Sequence, residues 1–96
     1  MRPSVALNLH REAVRALVAA HKVVNPRVFG SVAYGEDTEE SDLDLLVDPL
    51  EKTSLFDIIR LEDSLQKLLG ISVDVATPGA LNKYIRAQVL ETAIPL

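Results

Sequence analysis

Asp42 and Asp44 stand one residue apart at the head of an apolar run, Asp42-Leu43-Asp44-Leu45-Leu46-Val47. Side chains alternate across a strand, so a strand here puts both carboxylates on one face and turns Leu43, Leu45 and Val47 into the core on the other. Two strand rises separate the acids by roughly 6.5 Å between Cα atoms. At an effective dielectric near 20, charges that far apart repel by about 2.5 kcal/mol. A chain that places them together either leaves them in water or binds a cation between them. A D-x-D at a strand entry is by itself often a solvated turn, and the upstream residues change its meaning. Val28-Phe29 ends in Gly30-Ser31, ten residues before Asp42, where the chain passes from an apolar strand end into a glycine and a hydroxyl. Ser31 is suited to capping a short helical turn, Val32 to Tyr34, that Gly35 ends. Free N–H groups at a helix start point outward and suit phosphate. A phosphate cradle followed by two metal-ligand carboxylates is what holding a nucleoside triphosphate with its magnesium requires.

Several elements must position these residues. Asn25-Pro26 signals a turn, after which Arg27-Val28-Phe29 forms a short strand that delivers the chain to Gly30. Glu36 to Glu40 carries four acids in five residues; it lacks the alternate ligands, central glycine and late glutamate of a calcium loop and reads as a solvated connection. Asp48-Pro49 closes the D-x-D strand. Thr53 or Ser54 then opens the longest helix, to about Leu69, with Gly70 as its stop. Leu55, Phe56, Ile58, Ile59, Leu61, Leu65, Leu68 and Leu69 form its apolar face, which is expected to cover the sheet. Ile71 to Val75 alternates as a strand with Ser72 and Asp74 on one face. Strand, helix and strand in succession leave the two strands parallel. If they are neighbours, Asp74 comes up beside Asp42 and Asp44. Thr77-Pro78-Gly79 breaks the chain, and Leu81 to about Ala93 reads as a last helix. Its Lys83 and Arg86 are within one turn of each other, and either solvent or a phosphate is open to them. A first helix is expected from Asn8 to His21 with Leu9, Ala13, Leu17 and Ala20 buried. His10 and His21 lack the spacing of paired ligands on one helix face and read as surface residues.

The 96 residues, 48% of them apolar, suffice for one domain, 1–96, with one modest core. With no cysteine, neither a disulfide nor a thiolate metal site is available. No apolar run approaches the ~20 residues of a membrane span, and the N-terminus lacks the form of a signal peptide, so a cytoplasmic protein is expected. The net charge is −4, without the basic footprint of a nucleic-acid binder.

Gly30-Ser31, ten residues, Asp42-x-Asp44 resembles the G-S-x10-D-x-D signature of the nucleotidyltransferase superfamily that includes DNA polymerase beta. The short chain, with Gly35 and Ser41-Asp42-Leu43-Asp44-Leu45, is similar to the minimal nucleotidyltransferases, antitoxins of two-gene modules whose toxin is a HEPN-domain protein. The resemblance implies an α/β (α+β) nucleotidyltransferase fold: a small mixed sheet of about three strands covered by helices, in the order α-β-(short α)-β-α-β-α. It implies that a third acid on a following strand completes the metal site, for which Asp74 is the candidate. Asp42, Asp44 and Asp74 would hold two Mg²⁺ ions roughly 3.5–4 Å apart, with Gly30 and Ser31 on the β or γ phosphate, as in two-metal phosphoryl transfer. All three ligands are hard oxygens, which suits magnesium. It further implies ATP as substrate and a tyrosine of a partner HEPN RNase toxin as acceptor of AMP. Larger relatives hold the acceptor with an additional domain, so the partner would bring its own hydroxyl. A binding module that neutralises its toxin by complex formation is the alternative. Many relatives carry a basic residue where Tyr34 stands here; Tyr34 and Tyr84 are candidates for stacking on the base, or for packing.

Overall fold

Leu43, Leu45 and Val47 are fully buried while Asp44 is half-buried, the alternation expected of a strand with one face on the core. The computed structural model describes residues 1–96. In chain order it has α1 (Pro3–Leu9), α2 (Arg11–Ala20), β1 (Val23–Phe29), β2 (Leu43–Pro49), α3 (Leu55–Leu69), β3 (Val73–Ala76), a 3-10 turn (Pro78–Ala80), α4 (Lys83–Thr92) and β4 (Ile94–Pro95). The strands form one mixed sheet in the order β3-β2-β1-β4. β2 and β3 are parallel, and β1 runs antiparallel to both β2 and β4. This is an α+β arrangement with four strands where about three were expected. The added strand, Ile94-Pro95, is two residues long and pairs with Arg27 and Val28; nothing in so short a stretch signals a strand.

α3 follows its sequence signals. Ser54 and Asp57 form a reciprocal capping box at its start, and Gly70 adopts a left-handed φ of 68° at its end. Leu61, Leu65 and Leu69 are buried against the sheet with Ile58 and Leu68 partly so, but Leu55, Phe56 and Ile59 are exposed. The first turn of α3 therefore extends past the sheet it was expected to cover. α3 also secures the edge of the sheet. Val75 donates its N–H to Glu62 Oε2 at 2.9 Å and Val73 donates to Gln66 Oε1 at 3.4 Å, so the outward N–H groups of β3 have partners.

The helix expected from Asn8 to His21 begins at Arg11, as α2, and a separate helix, α1, not expected from the sequence, precedes it. Pro3 opens α1 at a position where a missing N–H costs nothing, and His10, at φ −124° and ψ 22°, breaks the helix before α2 begins. Of the residues expected to be buried, Leu17 packs partly against the core. Ala6, Leu7, Val14 and Val18 are buried, while Leu9 is 64% exposed and Ala13 and Ala20 face solvent. β1 starts at Val23 rather than Arg27, because a bulge between Val24 and Arg27, with Asn25 at φ 56°, absorbs the Asn25-Pro26 signal inside the strand. Arg27 is buried there and donates to Asp48 Oδ1 at 3.0 Å and to the Asn25 carbonyl at 2.9 Å.

The crossover through α3 lies on the face packed with α2. The connection from β3 to β4 crosses the sheet in the opposite direction between strands that run the same way. α4 is joined to the turn after β1 through the Tyr34 hydroxyl. No α4 residue is fully buried. No helix is long and apolar enough to cross a membrane.

Candidate active site

Asp44 occupies the middle of the sheet, paired with Phe29 of β1 on one side and with Asp74 of β3 on the other. Paired residues on neighbouring strands share a face, so the parallel register brings Asp74 directly beside Asp44. Asp42 lies one residue before β2 begins, not within it, and is exposed, as is Asp74. The strand starts at Leu43, whose N–H donates to the Ser72 carbonyl at 2.9 Å. Burial pushes the Asp44 carboxyl up to about 6, and the neighbouring charges of Asp74 and then Asp42 push the same way. The three carboxylates thus share one electrostatic environment. Without a cation they do not stand as a ready-made ligand set: no three His, Cys, Asp or Glu side chains are in ligating geometry. The donor set nevertheless fits a hard divalent ion, being carboxylate oxygen throughout.

The turn after β1 lies against the same carboxylate. Gly30 has φ 68°, and a methyl group at its Cα would overlap Asp44 Oδ2 and stand 3.2 Å from Asp44 Cγ. Glycine is required there by backbone conformation and by space together. The segment that follows is not a helix but a closed turn. Tyr34 N–H donates to the Gly30 carbonyl at 3.3 Å, Gly35 to Val32 at 3.2 Å and Glu36 to Ser31 at 2.9 Å. Ser31, Val32 and Ala33, at the start of that turn, donate their N–H groups to no backbone carbonyl. Backbone donors presented this way form a concavity for an anion, and this one is beside Asp44.

Other residues singled out in the sequence lie differently. Arg86 is tied to its own chain, donating to the carbonyls of Pro78 at 2.8 Å and Leu81 at 2.9 Å. Lys83 sits 5.1 Å from the centre of the Tyr84 ring, and Tyr84 is 82% exposed. The Tyr34 hydroxyl reaches α4, 3.2 Å from Gln88 Nε2 and 3.4 Å from Thr92 Oγ1, so it links the turn to that helix. His10 is exposed, and His21 Nδ1 lies 2.7 Å from the Leu17 carbonyl. The larger cavity, about 460 Å³, is also elsewhere, between α2 and the β1 edge, lined by Val18, Val24, Pro26 and Leu96 among others. Asp37 was read as part of a solvated run, yet it is buried and accepts the N–H of Ser4 at 2.9 Å. No local sequence signal marks it, since its partner is distant along the chain.

The chain matches the nucleotidyltransferase domain model over residues 7–96. It is 37% identical over 91 residues to protein adenylyltransferase MntA of Thermococcus cleftensis, with 86% of this chain and 92% of that protein covered. A solved structure described provisionally as a minimal nucleotidyltransferase superposes with a TM-score of 0.86 at 49% identity, covering 97% of this chain and 95% of the other. A crystal structure of a toxin–antitoxin with AMP-PNP carries the same fold at 20% identity, with a TM-score of 0.75 over 88% of this chain and 69% of that one. The carboxylate pair at the head of β2, the turn packed on Asp44 and this match along almost the whole length lead to one conclusion: the chain belongs to the nucleotidyltransferase domain family and is a minimal nucleotidyltransferase.

Proposed function

We propose that the chain is a Mg²⁺-dependent protein adenylyltransferase, a single domain acting in the cytoplasm, that moves AMP from ATP to a hydroxyl of a partner HEPN-domain toxin and so acts as its antitoxin. The observation that carries this is the Asp44–Asp74 register, with Gly30 packed on the Asp44 carboxylate. Identity to MntA supports the protein acceptor, and the AMP-PNP complex of the related fold supports the nucleotide. Asp42, Asp44 and Asp74 would hold the magnesium ions. When bound, the metal neutralises phosphate charge and makes a hydroxyl easier to deprotonate. Gly30, the free N–H groups of Ser31 and Val32 and the Ser31 hydroxyl would take the β or γ phosphate. Asp74 would accept the proton of the incoming hydroxyl. Attack forms the bond from acceptor oxygen to α-phosphorus, and the bond to pyrophosphate breaks. A tyrosine hydroxyl is the acceptor that the family resemblance favours.

Incubating the chain with its partner toxin, Mg²⁺ and α-labelled ATP tests this. Label on the toxin that disappears when Asp42→Asn and Asp44→Asn are combined is the expected result. A stable complex that silences the toxin without label overturns the transfer and leaves neutralisation by occlusion, a reading that the exposed Leu55, Phe56 and Ile59 would suit.

A further inference from the structure

The segment from Glu36 to Asp42 joins the two halves of the site, and it is held at one point. Beyond its own internal bonds and the Glu36 to Ser31 closure, its sole hydrogen bond to the rest of the protein is the one from Ser4 N–H to Asp37 Oδ2, spanning 33 positions. Asp37 is 7% exposed, whereas Glu36, Thr38, Glu39 and Glu40 are all exposed. A buried carboxylate is costly unless a donor satisfies it, and here the donor comes from the first turn of α1. That turn lacks a capping side chain of its own, because Arg2 at the cap position accepts no hydrogen bond. Asp37 thus supplies from a distant loop the cap that α1 lacks locally.

On either side of Asp37 the chain closes on itself. The turn 30–36 is sealed by Glu36 N–H on the Ser31 carbonyl at 2.9 Å. Thr38 and Ser41 are joined three times, Thr38 N–H to Ser41 Oγ at 2.9 Å, Ser41 N–H to the Thr38 carbonyl at 3.1 Å, and the two hydroxyls 3.3 Å apart. Two rigid pieces therefore meet at one anchored residue, and Asp42, exposed and outside the β2 ladder, follows directly on the second. We infer that Asp37 is a positioning residue of the transfer site: by holding the loop on α1 it sets where Asp42 stands relative to Asp44 and the phosphate turn. This rests on the proposed reading of Asp42 as a metal ligand.

The test is Mn²⁺ binding to the nucleotide-free chain, followed by water-proton relaxation, in wild type, Asp37→Ala and Asp37→Asn, with Tm measured for each. Asp37→Asn keeps an oxygen that can accept the Ser4 N–H. Asp37→Ala is expected to weaken Mn²⁺ binding by ~10-fold, the low end of what outer-shell partners contribute, and Asp37→Asn to stay within about twofold of wild type because the anchor survives. The Mg²⁺ concentration for half-maximal transfer should rise in the same proportion, while KM for ATP changes less. A folded Asp37→Ala that binds Mn²⁺ as wild type does overturns the inference, as does an Asp37→Asn no better than Asp37→Ala. A wild-type chain that itself binds no Mn²⁺ overturns the metal-site reading underneath, and is told apart because wild type and variants then fail alike.

Discussion

Asp44 is the residue on which the chemistry and the stability of the chain pull in opposite directions. Its carboxyl titrates near 6 because it is partly buried and faces Asp74 and Asp42. A carboxyl whose folded value lies above the unfolded one near 3.8 favours the folded state when protonated. Its stabilisation is complete below about pH 4 and is lost as pH rises through 6. The metal-free protein is therefore expected to lose about 1–2 kcal/mol from this group between pH 4 and 7, after discounting the full shift for screening by water. Thermal melts across that range should show the slope in wild type and its absence in Asp44→Asn, which should also melt higher than wild type at pH 7 without metal. Mg²⁺ should raise the wild-type Tm at pH 7 and not that of Asp44→Asn, and Mg²⁺ affinity should fall below pH 6 as Asp44 takes up its proton. At Gly30, substitution by alanine meets both a left-handed backbone and the Asp44 carboxylate. A loss of more than about 1 kcal/mol is expected in denaturant unfolding, with transfer activity falling further than stability does, because the displaced group is the site carboxylate itself.

The elements that carry the site are each fastened by side chains at their ends. Ser54 caps α3, so Ser54→Ala should cost about 1 kcal/mol in urea unfolding while leaving transfer at 25 °C unchanged, the cap being at the end of α3 far from Asp44. Glu62 acts differently. It holds the outward N–H of Val75 next to Asp74, and Glu62→Ala should expose that N–H to water and speed its hydrogen exchange, with Asp74 loosened beside it. Exchange at Val75 indistinguishable from wild type would show that the β3 edge is held by its pairing with β2 alone. The capping of α3 was legible in the sequence, since Ser54, Asp57 and Gly70 are local signals. The pairing of Glu62 with Val75 was not, because it depends on how a helix lies along a strand.

Across the whole molecule, the core and the exposed apolar surface divide residues of the same type. Leu61 is fully buried and Phe56 is 70% exposed, although both lie on one apolar-rich helix. Leu61→Ala should cost about 3 kcal/mol, and Phe56→Ser no more than about 0.5 kcal/mol, as read from denaturant midpoints. If both cost the same, the first turn of α3 is packed after all. Packing explains the division: from Ile58 onward α3 lies against β3, α2 and the core that holds Leu61, and Phe56 in its first turn is outside that core.

The residues of the candidate site were readable one by one. A D-x-D before alternating leucines, a Gly-Ser at a strand end and one aspartate in the next alternating strand are local patterns, and local patterns follow from side-chain alternation and backbone freedom alone. The α3 boundaries came from the same kind of signal. The tertiary structure decided which strands are neighbours and in what register, because pairing is set by the whole packed core rather than by any one strand. It thereby put Asp74 beside Asp44, set α1 ahead of a helix that begins at Arg11, placed Ala6, Leu7, Val14 and Val18 in the core, added β4 at the sheet edge, and buried Asp37 in a loop whose composition favours water. Each of these depends on contacts between residues far apart in the chain, whose energies no short stretch of sequence contains.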